Sequence, residues 1–437
     1  MKSHLFKSIM LVSIVMLLCN SSYSQLAPPP ANLENIKVGI PVNYDEDKVG
    51  EYTLPDVLTL KNGKKVTDQK TWTNQRRPEI VKLFEEFQYG KMPPKPSALK
   101  FNVFDKGTSV FDGKAIRKQI TVYFTSDTGD HKMDILIYLP VNTTKPVPLL
   151  LMLSFSPNSS MAANDLGVKP GFMWSREGKR VPAPKRGMGG MEIEKFTSNG
   201  IGLATIYYGD IEPDFPLGYK YGIRSVYLKS EQSIPAADEW GAISAWAWGL
   251  SRAMDYFETD KQIDARRIAI QGTSRIGKTV LWAGAHDTRF KMVIESCSGE
   301  GGAALSRRNF GENIAHMTDS TRYSYQFASN WHNYSSDFSK SPVDAHMLVA
   351  LMAPRPVLLQ TGDSDYWSDP KGELLAAVAA NPVYELFGKG SSLPDRLPAG
   401  DDTSLAYNTL GYFMHHGGHG TISSDWDIFL KYLKKFL

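Results

Sequence analysis

Arg266-Arg267-Ile268-Ala269-Ile270-Gln271-Gly272-Thr273-Ser274-Arg275-Ile276-Gly277-Lys278-Thr279 is the stretch on which the fold turns. Ile268 to Ile270 form a short apolar run that suits a buried strand, a Gly-flanked turn follows, and Val280, Leu281, Trp282 and Ala283 carry a helix onward. Two chemistries use a strand, a tight turn and a helix in that order. In one, a serine at the apex of the turn is held above the sheet as a nucleophile. In the other, the backbone of G-x-x-x-x-G-K-[ST] cradles a phosphate, and Gly272 to Thr279 match that pattern letter for letter. Gly272 and Gly277 serve both, because each turn must be free of Cβ clashes.

A nucleophilic serine needs an acid and then a histidine later in the chain. Leu358-Leu359-Gln360-Thr361-Gly362-Asp363-Ser364-Asp365 reads as a strand ending in Gly-x-x-Asp, and Gly417-Gly418-His419-Gly420 lies just ahead of the last helix. The residue types follow from the chemistry. A serine hydroxyl attacks poorly until a neutral imidazole removes its proton. A carboxylate then fixes the histidine tautomer and stabilises the imidazolium. Ser274, Asp365 and His419 are the expected catalytic residues. His415 and His416 compete for the base, but the glycines around His419 allow a tight loop to deliver its ring; the other two read as rim or packing residues. His131, His286, His316, His332 and His346 show no metal-ligand spacing, so neither metal nor cofactor is expected.

The phosphate-loop reading needs an acidic partner for Mg²⁺ and a supply of nucleotide. The N-terminus speaks against that supply. Lys2 and Lys7 precede the apolar run Ile9 to Leu18, and the small polar run Cys19 to Ser24 follows, as in a secretory signal. Residues 1–24 are therefore expected to be a signal peptide, cleaved after Ser24 to leave Gln25 first. A lipoprotein anchor at Cys19 would want a small residue where Leu18 stands. The apolar run falls short of the roughly 20 residues that span a bilayer. Secretion or a periplasmic location follows, with no membrane attachment once the leader is gone.

Composition adds bounds. With 42% hydrophobic and 22% charged residues, the chain is an ordinary globular protein rather than a disordered or collagenous one. Removing Lys2 and Lys7 from the formal +3 leaves +1, and without a basic block nothing calls for nucleic acid. Cys19 and Cys297 are the two cysteines, so the mature chain keeps one thiol and forms no internal disulfide.

Along the chain, Ala27-Pro28-Pro29-Pro30-Ala31 is a stiff tether, residues 40–75 are turn-rich, and Pro78 to Phe84 begin an amphipathic helix. Arg117–Phe124 and Lys132–Leu139 alternate with a period of two, as paired antiparallel strands do. Val147 to Leu153 and Ile201 to Tyr208 are continuous apolar runs, the mark of strands covered on both faces. Between them, residues 156–190 form a Gly-, Pro- and Ser-rich excursion with Phe172, Met173 and Trp174 at its middle. Such loops on a rigid scaffold are where sites are built. Trp240–Phe257 carries a helical apolar face, Lys291–Glu295 and Val357–Thr361 read as strands, and Trp426–Leu437 closes the chain as an amphipathic helix. The expected fold is a three-layer α/β/α sandwich, the α/β-hydrolase fold, with a mostly parallel central sheet. Residues 25–437 form one catalytic domain, on which the section 25–110 packs.

Gly272-Thr273-Ser274-Arg275-Ile276-Gly277-Lys278 resembles the G-C-S-R-x-G-K elbow of glucuronoyl esterases, carbohydrate esterase family 15; Ser298-Gly299-Glu300-Gly301-Gly302-Ala303-Ala304, Asp365-Tyr366-Trp367 and Gly417-Gly418-His419 support it. Arg76-Arg77-Pro78 and Trp246-Ala247-Trp248-Gly249-Leu250 point to the bacterial branch. The resemblance implies hydrolysis of esters of 4-O-methyl-D-glucuronic acid, the bonds that join xylan side groups to lignin alcohols. It implies an oxyanion role for Arg275 and sugar contacts for Lys278, Glu312 and Trp367. The expected partner is the glucuronoxylan or lignin–carbohydrate ester itself, met by a monomer; acetyl or other carbohydrate esters are the alternative substrate. One departure matters. Many members carry the acid as a glutamate just before S-G-x-G-G, where this chain has Cys297; Glu295 and Glu300 are out of register, which leaves Asp365.

Overall fold

A computed structural model describes residues 33–228 and 235–437. The expected leader and the Ala27–Ala31 tether lie outside the described residues. Nine strands form the central sheet: β1 (Lys100–Val110), β2 (Ala115–Tyr123), β3 (Lys132–Pro140), β4 (Val147–Ser154), β5 (Gly202–Tyr207), β6 (Ile263–Thr273), β7 (Met292–Ser296), β8 (Val357–Gly362) and β9 (Leu410–His415). They lie in the order β9-β8-β7-β6-β4-β5-β3-β2-β1. Strands β4 to β9 run parallel, and β1 to β3 are added antiparallel.

The parallel strands are apolar throughout because both of their faces are covered. Successive residues feed opposite cores. Leu149, Leu151, Ile268 and Ile270 join one with Trp246, Trp282 and Tyr384, whereas Leu150, Ala269, Met292 and Ile294 join the other with Phe196, Phe429 and Tyr432. The first layer holds α1 (Arg77–Phe87), α2 (Ala242–Phe257), α3 (Arg275–His286) and α4 (Pro370–Leu386); the second holds α5 (Asp425–Phe436). Every residue of α2 is buried, so this helix is interior rather than amphipathic at the surface. The N-terminal section docks through Phe84 and Tyr89, whose rings lie 6.1 and 4.9 Å from that of Trp282.

This is the α/β-hydrolase fold in three layers. Its topology also locates a site. Strand β4 has β5 on one side and β6 on the other, so the winding direction reverses between β4 and β6. The carboxyl ends of strands at such a reversal leave a crevice in which ligands bind. Thr273, the last residue of β6, opens onto it.

Candidate active site

Strand β6 ends and α3 begins with no loop between them, so one residue must make the whole turn. Ser274 does so at φ 60° and ψ −130°, a conformation costing of order 1–3 kcal/mol for a residue with a Cβ. The surroundings hold it there. Ser274 N donates to Ser296 O at 2.8 Å, and Ser274 O accepts from Gly277 N at 2.7 Å and Lys278 N at 3.1 Å. Both glycines answer to close packing. A Cβ at 272 would lie 2.3 Å from Ile276 O, and one at 277 would lie 3.0 Å from Ser296 O. The glycines of the apparent phosphate loop are thus accounted for by the packing of a serine turn against β7.

The loop after β9 carries His419 to this turn. Thr273 and Thr421 hydroxyls meet at 2.9 Å, while Gly420 N donates to Cys297 Sγ at 3.3 Å and Cys297 Sγ donates to Gly420 O at 3.4 Å. His419 Nδ1 lies 2.7 Å from Asp365 Oδ2 and 3.2 Å from Ser368 Oγ. Asp365 is buried and His419 is 44% exposed in its side chain. A carboxylate against Nδ1 keeps the proton there and leaves Nε2 as the basic nitrogen. The rivals lie elsewhere. His415 is buried, with Nδ1 2.9 Å from Asp425 and Nε2 3.0 Å from Gly418 O; exposed His416 pairs with Asp363 at 2.6 Å.

Arg275 is the first residue of α3, where an N–H has no acceptor within its own helix. Its guanidinium donates to Asp214 Oδ2 at 2.6 Å and to Tyr323 Oη at 3.2 Å. Burial, the largest single influence, would lower its pKa, but Asp214 together with Tyr323 and Tyr208 raises it, so the cation is permanent. Lys278, one turn further on, is buried; burial lowers its pKa, while Glu312 and Glu300 oppose the change and Arg275 adds to it. Glu312 accepts from Arg322 Nη2 at 2.9 Å, and its N–H donates to Trp367 O at 2.9 Å. The Arg322 guanidinium also stands 5.1 Å from the Trp367 ring. Glu312 and Trp367 are therefore one unit, and Glu312 reaches Lys278 electrostatically. A buried ammonium, a carboxylate and a partly exposed indole suit the hydroxyls and face of a sugar ring.

Comparison with known proteins finds esterases. A family model for fungal glucuronyl esterases matches residues 234–388. Carbohydrate esterase MZ0003, from an unknown prokaryotic organism, is 44% identical over 89% of this chain and 91% of its own length. The chain belongs to carbohydrate esterase family 15. A solved glucuronoyl esterase from Solibacter usitatus superposes with a TM-score of 0.84 at 44% identity, covering 89% of this chain and 99% of that one. A CE15 esterase from a marine bacterial metagenome, described as promiscuous, gives 0.82 at 43% identity, covering 91% and 100%. The chain is a carboxylic ester hydrolase of the glucuronoyl esterase type.

The structure adds residues to this esterase site that sequence reading missed. Asp214 accepts from Arg275, Tyr208 Oη, Tyr325 Oη and Gln326 Nε2, and so anchors the Arg275 guanidinium. Nothing local in the sequence marks it; its partners come from three segments, around residues 208, 275 and 325–326. Cys297, at φ 49°, is buried, and its Sγ, an Asp365 oxygen and a His419 ring nitrogen lie within 4.8 Å of one another. This is a donor set that could hold a metal ion, assembled from three strand ends and invisible to spacing rules.

Behind Cys297 lie two fully buried glutamates. Glu295 accepts from Ser298 N, and Glu373 Oε1 accepts from Gly299 N at 2.8 Å; the remaining oxygen of each has no hydrogen-bond partner. Burial raises both pKa values, and Glu295 raises that of Glu373 further. Two buried carboxyls of this kind oppose each other's ionisation. The pair braces the turn after β7, and Glu295 also feels the His419 charge. Glu300 is also buried, and bonds Ser306 Oγ. The two glutamates that sequence reading set aside are thus engaged elsewhere.

Proposed function

We propose that this esterase cleaves esters of 4-O-methyl-D-glucuronic acid, those joining glucuronoxylan to lignin alcohols, through a Ser274–His419–Asp365 triad. The observation that carries the reading is the buried Asp365 carboxylate 2.7 Å from Nδ1 of a histidine whose loop is bonded to the Ser274 elbow. His419 takes the Ser274 proton as Oγ attacks the ester carbonyl. The tetrahedral oxyanion is met by Arg275 N–H, with the guanidinium cation nearby; preorganised donors of this kind cost no reorganisation at the moment of reaction. His419 then gives its proton to the leaving alcohol. Water enters by the same route in reverse and releases the uronic acid from Ser274. Lys278, Glu312 and Trp367 hold the sugar. Residues 1–24 are a cleaved signal peptide, and residues 25–437 act as one secreted catalytic domain, a monomer that meets its polymer outside the cytoplasm.

A second reading, activity on acetyl or other carbohydrate esters, draws on the promiscuity described for the marine relative. One comparison separates them. Release of acid from benzyl and methyl glucuronate should exceed release of acetate from acetylated xylan; the reverse ranking would reject the first reading.

A further inference from the structure

The excursion between β4 and β5, singled out by its composition, is not consumed by the catalytic site. It arches over β2 and β3 and encloses a cavity of about 270 Å³ lined by none of Ser274, His419, Asp365, Arg275, Lys278, Glu312 or Trp367. We propose that this cavity is a second carbohydrate subsite, taking a neutral pyranose unit of the polysaccharide whose ester is cleaved next door; this rests on the esterase reading above.

The walls are built for it. Phe172 and Trp174 lie in a short strand of the excursion, their rings 5.9 Å apart at 81°. Trp174 is fixed at both ends: its Nε1 donates to Gly209 O at 2.9 Å, and its backbone N–H donates to Tyr207 Oη at 3.3 Å. The Arg180 guanidinium stands over both rings, 4.5 Å from Phe172 and 5.1 Å from Trp174, and Nη2 bonds Asp130 at 3.1 Å. A stacked, tethered arginine presents planar N–H donors at a fixed place. Asp210 lies opposite, with Oδ2 accepting from Asp134 N at 3.2 Å. Loss of solvent, and then the Asp134 charge, raise the Asp210 carboxyl to about 8, so at neutral pH it offers both a donor and an acceptor. Lys169 is neutralised by Asp134 at 2.7 Å. Lys132, also on the wall, turns its Nζ to the carbonyls of Thr128 and Gly129 at 3.2 and 3.0 Å. Aromatic faces, two paired cations and a neutral carboxyl suit alternating C–H and O–H groups. The space admits about one ring plus ordered water.

The cavity also adjoins the catalytic crevice. Trp174 contacts Phe215 at 6.2 Å between centroids, and the neighbouring Asp214 holds Arg275. A chain seated in the cavity would therefore run towards the elbow.

The test is calorimetric titration of the purified protein with xylohexaose, beside kinetics on benzyl glucuronate and on glucuronoxylan. Trp174→Ala and, separately, Arg180→Gln should weaken xylohexaose binding by about fivefold or more, the scale of one lost ring contact. They should raise KM on the polymer and leave kcat/KM on benzyl glucuronate within about twofold of wild type. Unchanged xylohexaose affinity in both variants would overturn the proposal. So would no binding to the wild type, or an equal loss on the small ester. Failure of the wild type to cleave any glucuronate ester would instead sink the esterase reading, and is measured separately.

Discussion

In the proposed triad, replacing Asp365 by Asn removes the charge that faces the base. The carboxylate is 4% exposed, and its Oδ2 sits 2.7 Å from His419 Nδ1. When His419 takes the serine proton, an imidazolium forms beside this group. Unit charges about 4 Å apart attract by ~4 kcal/mol at an effective dielectric constant of about 20. That is close to a thousandfold in rate. Water on the exposed side of His419 screens part of the attraction, and Ser368 Oγ, 3.2 Å from Nδ1, can hold some of the ring orientation. The expected loss in kcat for Asp365→Asn is therefore at least about a hundredfold. Glu295→Gln and Glu300→Gln should each cost less than about tenfold, because their carboxyls bond Ser298 N and Ser306 Oγ, and Glu295 acts on His419 only through its charge. All three are assayed on benzyl glucuronate at one pH, with circular dichroism to check the fold. If a glutamate variant is the most damaged and Asp365→Asn stays near wild type, the assignment of the acid is wrong.

Ser274→Ala should abolish nearly all turnover with the fold intact, leaving only the residue that oxyanion donors and binding supply; burst and steady-state assays of the variant check it, and wild-type rates would refute the triad. Lys278→Ala should lose activity mainly on glucuronate esters, by about 1–3 kcal/mol, since sugar hydroxyls lose a buried donor; an equal loss on p-nitrophenyl acetate would make Lys278 structural. Dialysis against a chelator should leave activity unchanged, because a base must keep its nitrogen free of metal; loss restored by zinc or calcium would contradict this. Asp210→Asn should gain in melting temperature relative to wild type as pH rises from about 4 towards 8: the folded carboxyl keeps its proton to about 8 while the unfolded one releases it near 4, so the wild type loses stability across that window. A constant difference from pH 4 to 9 would show that Asp210 is not perturbed.

The strongly patterned parts of the fold were legible. β2 to β5, β7 and β8 appear where apolar alternation or continuity put them, within a few residues, because burial on one or both faces dictates those patterns; β6 was read only as its buried centre, Ile268 to Ile270, and runs from Ile263 to Thr273. β1 was not read. It is an edge strand whose Asp105, Lys106 and Gly107 interrupt any alternation, and its pairing shifts register there. α4 was missed because Pro382 lies inside it, yet Asp369 caps its start through Gly372 N and buried alanines seat it. β9, Leu410–His415, is a short apolar run that periodicity cannot assign, and its last residue was weighed only as a rival base. In the site, Ser274, Asp365 and His419 stood out because turns leave glycine signatures. Asp214, the Glu295–Glu373 pair and the Cys297 cluster left none, since their meaning comes from contacts across more than 50 residues of chain.

The departure at Cys297 has a geometric explanation. β7 and β8 are parallel neighbours, with Ser296 opposite Gln360, so their carboxyl ends open side by side beneath the His419 loop. A carboxylate leaving either strand end can therefore approach the same imidazole. The residue just past β7, where the family resemblance puts a glutamate, is Cys297, whose thiol packs on Gly420 and fills that approach without charge. In the proposed triad the carboxylate comes instead from Asp365, just past β8, which lies 2.7 Å from His419 Nδ1. Both could not be charged there at once, for two carboxylates on one imidazole would drive one of them to hold a proton. Cys297→Glu tests this in the full chain. Alone it should leave the esterase working or impaired by crowding, and in an Asp365→Asn background it should restore at least about tenfold of the lost kcat. No recovery in the double variant would mean that the two strand ends are not equivalent and that Asp365 depends on its own loop.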